Sequence, residues 1–399
     1  MRATASAIAV LFAACTGAEV GSQPAPVEQG AANTDFRPAF AGQTRAPEAP
    51  SGVEIYVAEI ARGLDHPWSI AFLPDGRAFV TEKPGRLRLL TQDGEISAPL
   101  GGIPAVDARG QGGLLDVALS PNFASDRLVY LSFSEPRGGG ANGTSVARGR
   151  LSANEASLED VRIIFRQLPA WRSRGHFGSR FVFDPAGRLF VTLGERQEGD
   201  SRVLAQDLST HLGKVVRMNA DGSAPSDNPF LGRSDARAEI WSWGHRNPQG
   251  ADIHPDTGAL WTIEHGPQGG DELNVTRAGA NYGWPIITYG EDYGGAAMGE
   301  GTAREGMEQP VYYWDPVIAP GDMDFYEGDL FPWRGDVLIA GLRSQALVRL
   351  ELEGERVVGE ERFALGVGRI RDVEESADGA LWIITDEQDG RVLRLTPQR

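Results

Sequence analysis

One theme recurs six times along this chain, and any fold it adopts has to accommodate all six copies. Each copy joins a turn rich in Pro, Asp, Asn and Gly to a short β-branched and aromatic run, and a polar loop follows. The copies are FLPDGRAFVTEKPGRLRLL from Phe72, LSPNFASDRLVYLSFSE from Leu119, FDPAGRLFVTLGE from Phe183, IHPDTGALWTIEHG from Ile253, LFPWRGDVLIAGLRSQALVRL from Leu330 and SADGALWIITDEQDGRVLRL from Ser376. Each reads as a strand and hairpin, and residues 51–399 show almost no sustained helical periodicity. A spacing of roughly 45 to 75 residues suits propeller blades whose loops vary in length. The pattern predicts an all-β chain, a six-bladed β-propeller of four-stranded antiparallel blades, with residues 51–399 as one domain.

Propeller loops on one face surround a central channel, where ligands sit. The loops Gly194-Glu195-Arg196, Glu264-His265-Gly266-Pro267, Gly341-Leu342-Arg343 and Thr385-Asp386 occupy similar places in their repeats and are expected to converge there. The stretch from Ile240 to Trp284 is the richest in chemistry. Its Gly244-to-Gly250 turn sets the Arg246 guanidinium beside the Asn247 amide, a grip for an anionic or carbonyl-rich ligand. Its Glu264-to-Glu272 loop offers carboxylates and glycine-freed carbonyls, the hard oxygen ligands that calcium prefers.

Charge narrows the partners. With 38 Lys and Arg against 55 Asp and Glu the net charge is −17, which excludes nucleic acid and disfavours anionic membrane surfaces. An acidic protein that holds an anionic ligand has to cluster its arginines locally. The one cysteine, Cys15, leaves no intramolecular disulfide. It follows Arg2 and an apolar run from Ala7 to Ala14, too short to span a bilayer and suited to a signal peptide. Phe-Ala-Ala-Cys resembles a bacterial lipoprotein processing box, so residues 1–15 are expected to direct export to the periplasm or cell envelope, with a lipid anchor through Cys15. Residues 16–50, rich in Pro, Ala, Gly and Gln, read as a disordered linker.

Among the six histidines, His66 and His254 precede prolines in turns and His211 enters a strand; all three read as structural. His245 and His265 suit orienting roles. No pair stands at zinc-helix spacing. His176 differs, because Gly175 and Gly178 free the backbone around it just before a strand. A reachable imidazole there is a candidate general base at neutral pH. The Gly110-Gln111-Gly112-Gly113 run is not followed by a helix, so a dinucleotide loop fails on context and Gln111 reads as a hydrogen-bonding side chain shown to a ligand. Arg369 and Arg371 stand at i and i+2, on one face of a strand, and suit a polyanion or matching surface carboxylates.

GQGGLLDVALSPNF, HFGSRFVFD, AQDLSTHLGKVVRMNADG, GHRNPQG, EHGPQGGDELN, NYGWP and RIRDV, in this order, resemble the soluble aldose sugar dehydrogenases that use pyrroloquinoline quinone (PQQ), relatives of soluble glucose dehydrogenase. The resemblance runs from about residue 55 to 396. It implies a six-bladed propeller with PQQ and calcium in the central site, and oxidation of an aldose sugar at C1 to the lactone. By resemblance His176 takes the anomeric proton, while Arg246 and Asn247 bind the quinone and stabilise its growing negative charge. Gln111, Tyr293, Arg343, Arg369 and Arg371 fall on PQQ-contacting positions. Gly266 and Pro267 match carbonyl donors to the calcium that polarises PQQ; Glu272 and Tyr282, with Asp271 beside them, match a second, structural calcium. The chain departs from the pattern at Gly175, where soluble glucose dehydrogenase has a carboxylate before the base, at Arg343, which replaces a lysine, and in the loop Gly194 to Gln197. The remaining partners are an external electron acceptor that the sequence does not name and, for assembly, a monomer or a homodimer. Two other readings are a calcium-dependent propeller lactonase and a non-catalytic binding propeller.

Overall fold

The computed structural model describes residues 24–398, and the expected signal peptide with Cys15 lies outside the described residues. Six antiparallel sheets follow one another along the chain, at 67–90, 114–166, 181–243, 248–314, 320–363 and 370–397. They form a six-bladed β-propeller. The last blade borrows its outer strand from the start of the chain: Ile55–Leu64 pairs antiparallel with Gly390–Pro397, from Ile55 opposite Pro397 to Leu64 opposite Gly390. Five blades have four strands; the first has three, and a Leu90–Ile96 bridge stands outside its third strand.

Period-2 alternation explains the packing. In Leu260–Glu264 the side chains of Trp261 and Ile263 join Met323, Phe325 and Ile339 of the next blade, whereas Leu260 turns back to Phe190 and Val215 of the preceding one. Six apolar clusters result, each filling one seam between neighbouring blades. The recognised repeats are the hairpins that join the first strand of each blade to its second. Loops leaving the second strands therefore gather at the opposite end, where the first strands begin.

The first strands line the axis, and five of the six start with a register break, at Pro67/Ile70, Leu114/Val117, Pro248/Gly250, Pro320/Asp322 and Ile370/Asp372. A bulge adds a residue on one strand and re-aims its side chain. Trp68, Gln249 and Arg371 are such residues. Deeper in the channel, Arg180 touches every blade. Its guanidinium meets Asp116 at 3.2 Å, Asp322 at 3.0 Å and Asp372 at 2.8 Å, donates to the Gln249 carbonyl and lies 4.6 Å from the centre of the Trp68 ring.

The disordered linker expected for 16–50 is corrected over residues 24–50, which are packed on blades four and five. Asp315 accepts from the backbone N–H and side chain of both Asn33 and Thr34. Buried Gln43 donates to the Pro310 carbonyl, Ala46 enters a seam beside Trp314, and Glu48 bridges to Glu360. A few side-chain hydrogen bonds hold the strap, and they leave no periodic signature in its composition.

Replacing Arg180 by Leu would leave three buried carboxylates without their cation, and stability is expected to fall by about 3–5 kcal/mol. Urea denaturation of the purified variant measures this; a midpoint within error of the parent would show that the channel acids do not depend on Arg180.

Candidate active site

At the end of the propeller where the first strands begin, the converging loops enclose a cavity of about 190 Å3. The bulge residues Trp68, Gln249 and Arg371 form part of its wall; His66, Gln111, Asn247, His265, Lys83, Arg369 and Asp386 complete its polar lining. Arg371 is clamped by the Gln249 side chain at 3.0 Å and the Gly321 carbonyl at 3.1 Å, and its guanidinium stacks 4.6 Å from Trp68. Burial lowers its pKa to about 10, and its Nε has no hydrogen-bond partner. Asp386 pairs with exposed Arg369 at 3.1 Å and approaches His66 at 3.3 Å. The wall thus holds three cations, Lys83, Arg369 and Arg371, against one acid, in a molecule whose net charge is −17. It is suited to a multiply charged anion.

His176, at φ 48°, does not itself line this cavity, but its loop is hydrogen-bonded to two of the wall residues. Its N–H donates to the Gln111 carboxamide at 2.7 Å, and the Gly178 N–H donates to Asn247 at 3.0 Å. A side chain at Gly194 would collide with the His176 carbonyl, which accounts for glycine there. The imidazole Nδ1 lies 3.0 Å from Glu195 Oε1, and Glu195 is fully buried. With Nδ1–H donated to this carboxylate, Nε2 is the nitrogen left to accept a proton. Burial, then the Arg246 charge, lower the His176 pKa; Glu195 opposes them. Burial would raise the Glu195 carboxyl, yet His176, Arg246 and the Gln197 N–H outweigh it and hold it below its ordinary value. Burial and the Arg246 charge both favour the uncharged imidazole, with Nε2 free to accept. Glu195 supplies the carboxylate that Gly175 lacks.

Arg246 is held by its own backbone, its N–H donating to Glu264 at 2.6 Å and its carbonyl accepting from Glu195 at 3.0 Å. Its side chain donates to the His265 carbonyl at 3.0 Å and lies 5.2 Å from the Trp284 ring centre, with Nε unpartnered. His265 Nε2 lies 2.8 Å from Gln249, and burial with four neighbouring groups, Arg371 foremost, lowers its pKa well below the ordinary value. His245 is wholly buried between Glu264 at 2.9 Å and Ser242 at 2.8 Å. Both have the orienting character their sequence setting implied.

Behind Arg246 lies a second cavity of only about 10 Å3, the space of one water or ion. Gly266, Pro267, Glu272 and Tyr282 all line it, although the resemblance divides them between two calcium sites. Among the described residues nothing donates to the Gly266 or Pro267 carbonyls. The Glu272 carboxyl has only a 3.5 Å contact from Asn274, and burial, then the nearby Glu264, push its pKa well above the ordinary range. These three fit a cation. Asp271 does not, since both its oxygens are occupied by the Gly266 and Ala319 N–H groups, at 2.8 and 2.7 Å. The Tyr282 phenol is also taken, donating to the Val275 carbonyl and accepting from the Arg277 N–H, so only its backbone is available.

Three expected quinone contacts are not part of the large cavity's lining: Arg246 lines the small cavity instead, and Tyr293 and Arg343 line neither. Tyr293 is 65 % exposed on the 291–300 excursion. Arg343 turns outward at a loop tip whose N–H donates to the Ile318 carbonyl, and its neighbour Leu342 takes the place on the wall. Conversely, Trp68, Lys83, Gln249, Glu195 and Asp386 were not singled out as site residues.

The family described as Glucose / Sorbosone dehydrogenase matches residues 64–394. The chain belongs to the glucose/sorbosone dehydrogenase family. Aldose sugar dehydrogenase YliI of Escherichia coli (strain K12) is 45% identical over 355 residues, covering 88% of this chain and 94% of that protein. A crystal structure of a glucose dehydrogenase superposes with TM-score 0.83 at 48% identity, over 85% of this chain and 99% of its own. The PQQ-bound aldose sugar dehydrogenase from Streptomyces coelicolor superposes with TM-score 0.73 at 30% identity, over 88% of this chain and 99% of its own. The protein is therefore an oxidoreductase acting on sugar. Because the Glu195 charge raises the His176 pKa, Glu195→Gln is expected to move the acid limb of kcat/KM to lower pH and to reduce its plateau at least about tenfold. A pH–rate profile with an unmoved limb would remove Glu195 as the partner of the base.

Proposed function

We propose that this protein is a PQQ- and calcium-dependent dehydrogenase that oxidises aldose sugars at C1 to the lactone, with His176 as general base. The observation that carries the reading is the cation-lined cavity, with an imidazole on a loop bonded to its wall whose Nε2 is left to take a proton. Lys83, Arg369 and Arg371 fit the carboxylates of PQQ, and the unpartnered Nε of Arg371 fits an anionic ligand at this wall. When bound, PQQ supplies the hydride acceptor. Asn247 and Gln111, whose oxygens are used on the His176 loop, keep their amide N–H groups for the cavity. Arg246 brings positive charge to the place where charge develops. His176 Nε2 removes the proton of the anomeric hydroxyl, which makes C1 a better hydride donor, and Glu195 stabilises the imidazolium that forms. Loss of a proton from O1 and a hydride from C1 of a cyclic aldose leaves the lactone.

Gly266, Pro267 and Glu272 are the residues that would hold calcium, as a Lewis acid close to Arg246 and a staple where no disulfide exists. The rival lactonase reading would draw on Asp322, Asp372 and Glu374, the one group of three acids among the described residues close enough for a metal. Arg180 already pairs with two of them, so they suit a structural role better. Export and the Cys15 lipid anchor belong to the proposal through residues 1–15 alone.

Titration of metal-loaded protein with PQQ should give a saturable absorbance change and dye reduction with glucose or another aldose. His176→Ala is expected to retain the absorbance change while losing about 100-fold or more in kcat. Normal turnover would remove it as base, and no PQQ-dependent dye reduction across a panel of aldoses would sink the reading. Calcium should raise Tm of the apo protein, with the gain largely lost in Glu272→Gln; an equal gain in both would place the ion elsewhere.

A further inference from the structure

The residue after Glu195 is a fully buried arginine with no place on the wall of either cavity. Arg196 is packed around the base instead. Its Nε donates at 3.2 Å to the Gly175 carbonyl, the oxygen of the peptide bond that enters His176. One terminal nitrogen donates to the Ser173 carbonyl at 3.2 Å and to Asn142 Oδ1 at 2.7 Å, and the Asn142 amide itself donates to Ser173 at 2.9 Å. On the far side of the base the guanidinium lies 3.7 Å from the centre of the Phe177 ring. One planar group thus holds the residues before and after His176. Phe177 packs in turn on Leu115 and on Trp68 of the large cavity's wall.

Burying this cation opposes folding. Its acceptors are two carbonyls and an amide, all uncharged, and among the described residues no carboxylate pairs with it. The two acids that act on it are engaged elsewhere, Glu195 with His176 and Asp107 with Arg109. Burial brings its pKa down to about 9 against their pull, which leaves it charged at neutral pH. Its other terminal nitrogen has no hydrogen-bond partner. A methionine would fill this space and stack on Phe177 without burying an unpaired charge. The backbone is strained as well: Arg196 at φ 77° and Gln197 at φ 69° are consecutive non-glycine residues in the left-handed region. That turn brings the Gln197 N–H to Glu195, the partner of the base. Strain and an unpaired charge, held together beside an oriented imidazole, point to function.

We propose that Arg196 is a positioning residue for the base: its guanidinium clamps the loop on both sides of His176 and holds a fixed positive charge beside it. The proposal rests on the reading of His176 as general base, and Arg196 acts through His176 alone. Gly175, the residue before the base, has no side chain to fix the loop, so the clamp has to come from another segment. Arg246, Glu195 and Arg196 are the charged groups that act on the imidazole. His265, a further titratable neighbour, has its own pKa lowered well below the ordinary value by burial and by Arg371. Arg246 and Arg196 lower the His176 pKa and Glu195 raises it, so loss of the Arg196 charge raises it. The acid limb of kcat/KM then moves to higher pH, opposite to the move expected for Glu195→Gln.

Two substitutions separate the clamp from the charge. Arg196→Gln loses the charge and keeps an amide donor for the loop carbonyls; Arg196→Met loses both and keeps the volume. For PQQ- and calcium-loaded protein, kcat/KM for glucose is measured across pH, beside a PQQ titration and a Tm that shows each variant is folded. The acid limb should move to higher pH in both. The plateau should fall at least about tenfold in Arg196→Met and be partly rescued in Arg196→Gln, with PQQ affinity unchanged. A limb that stays in place or moves down in either variant overturns the proposal, and so does a parental plateau in Arg196→Met or an equal loss in both. If Arg196→Met does not fold, the limb of Arg196→Gln decides. His176→Ala, measured alongside, tests the reading beneath: parental turnover there removes the base, whereas parental profiles in the Arg196 variants beside an inactive His176→Ala overturn the role of Arg196 alone.

Discussion

The Arg180 guanidinium reaches across the channel to every other blade. Asp116, Asp322 and Asp372 from three blades pair with it, the fourth offers the Gln249 carbonyl, the first stacks Trp68 on it, and its own strand belongs to the third. Six twisted sheets around an axis leave a channel too narrow for large apolar side chains from every blade and too deep for bulk water. A single delocalised cation with several directional donors satisfies carboxylates that would otherwise repel one another, and it holds its charge under full burial. Above this hub Trp68 is sandwiched between Arg180 and Arg371, each 4.6 Å from its ring. The floor of the cavity is thus rigid because the axis below it is.

Register breaks at the mouths of the first strands turn that rigid axis into a site. An unbroken ladder would send alternate side chains into the blade seams; an extra residue at Gln249 and at Arg371 lets both turn to the cavity and bond each other. Charge on the wall then divides the labour. Cations collect where an anionic cofactor fits, while burial and Arg246 lower the pKa of the His176 imidazole and Glu195 holds it in place.

The propeller was legible in the sequence because its repeat, the turn before each second strand, is a local signal: Pro- and Gly-containing turns such as Pro185-Ala186-Gly187 or Asp378-Gly379, followed by runs such as Leu189–Leu193 or Leu381–Thr385, need no tertiary information. Of the residues singled out by motif and charge, Gln111, Asn247, Arg369 and Arg371 meet on one cavity wall. Trp68 and Gln249 were not legible, because a bulge is a property of two paired strands, and neither strand alone announces it. Glu195 lay in a loop expected to reach the channel, yet its pairing with His176 depends on a contact between segments 19 residues apart. Tyr293 and Arg343 show the converse. A motif carries a backbone position across a family, whereas side-chain direction follows from loop geometry that changes with a few residues. The strap at 24–50 was missed because Asp315 holds it by hydrogen bonds rather than by an apolar stripe.

Closure of the ring has its own consequence in time. The strand Ile55–Leu64 is synthesised well before its partner Gly390–Pro397. The sixth blade therefore waits until the strands of the other five have been made, and the pairing that seals the ring joins segments far apart in sequence. Such non-local pairing is slow to form. Until it forms, two strand edges and an open apolar seam stay exposed, so this joint sets both the pace of folding and the window for aggregation.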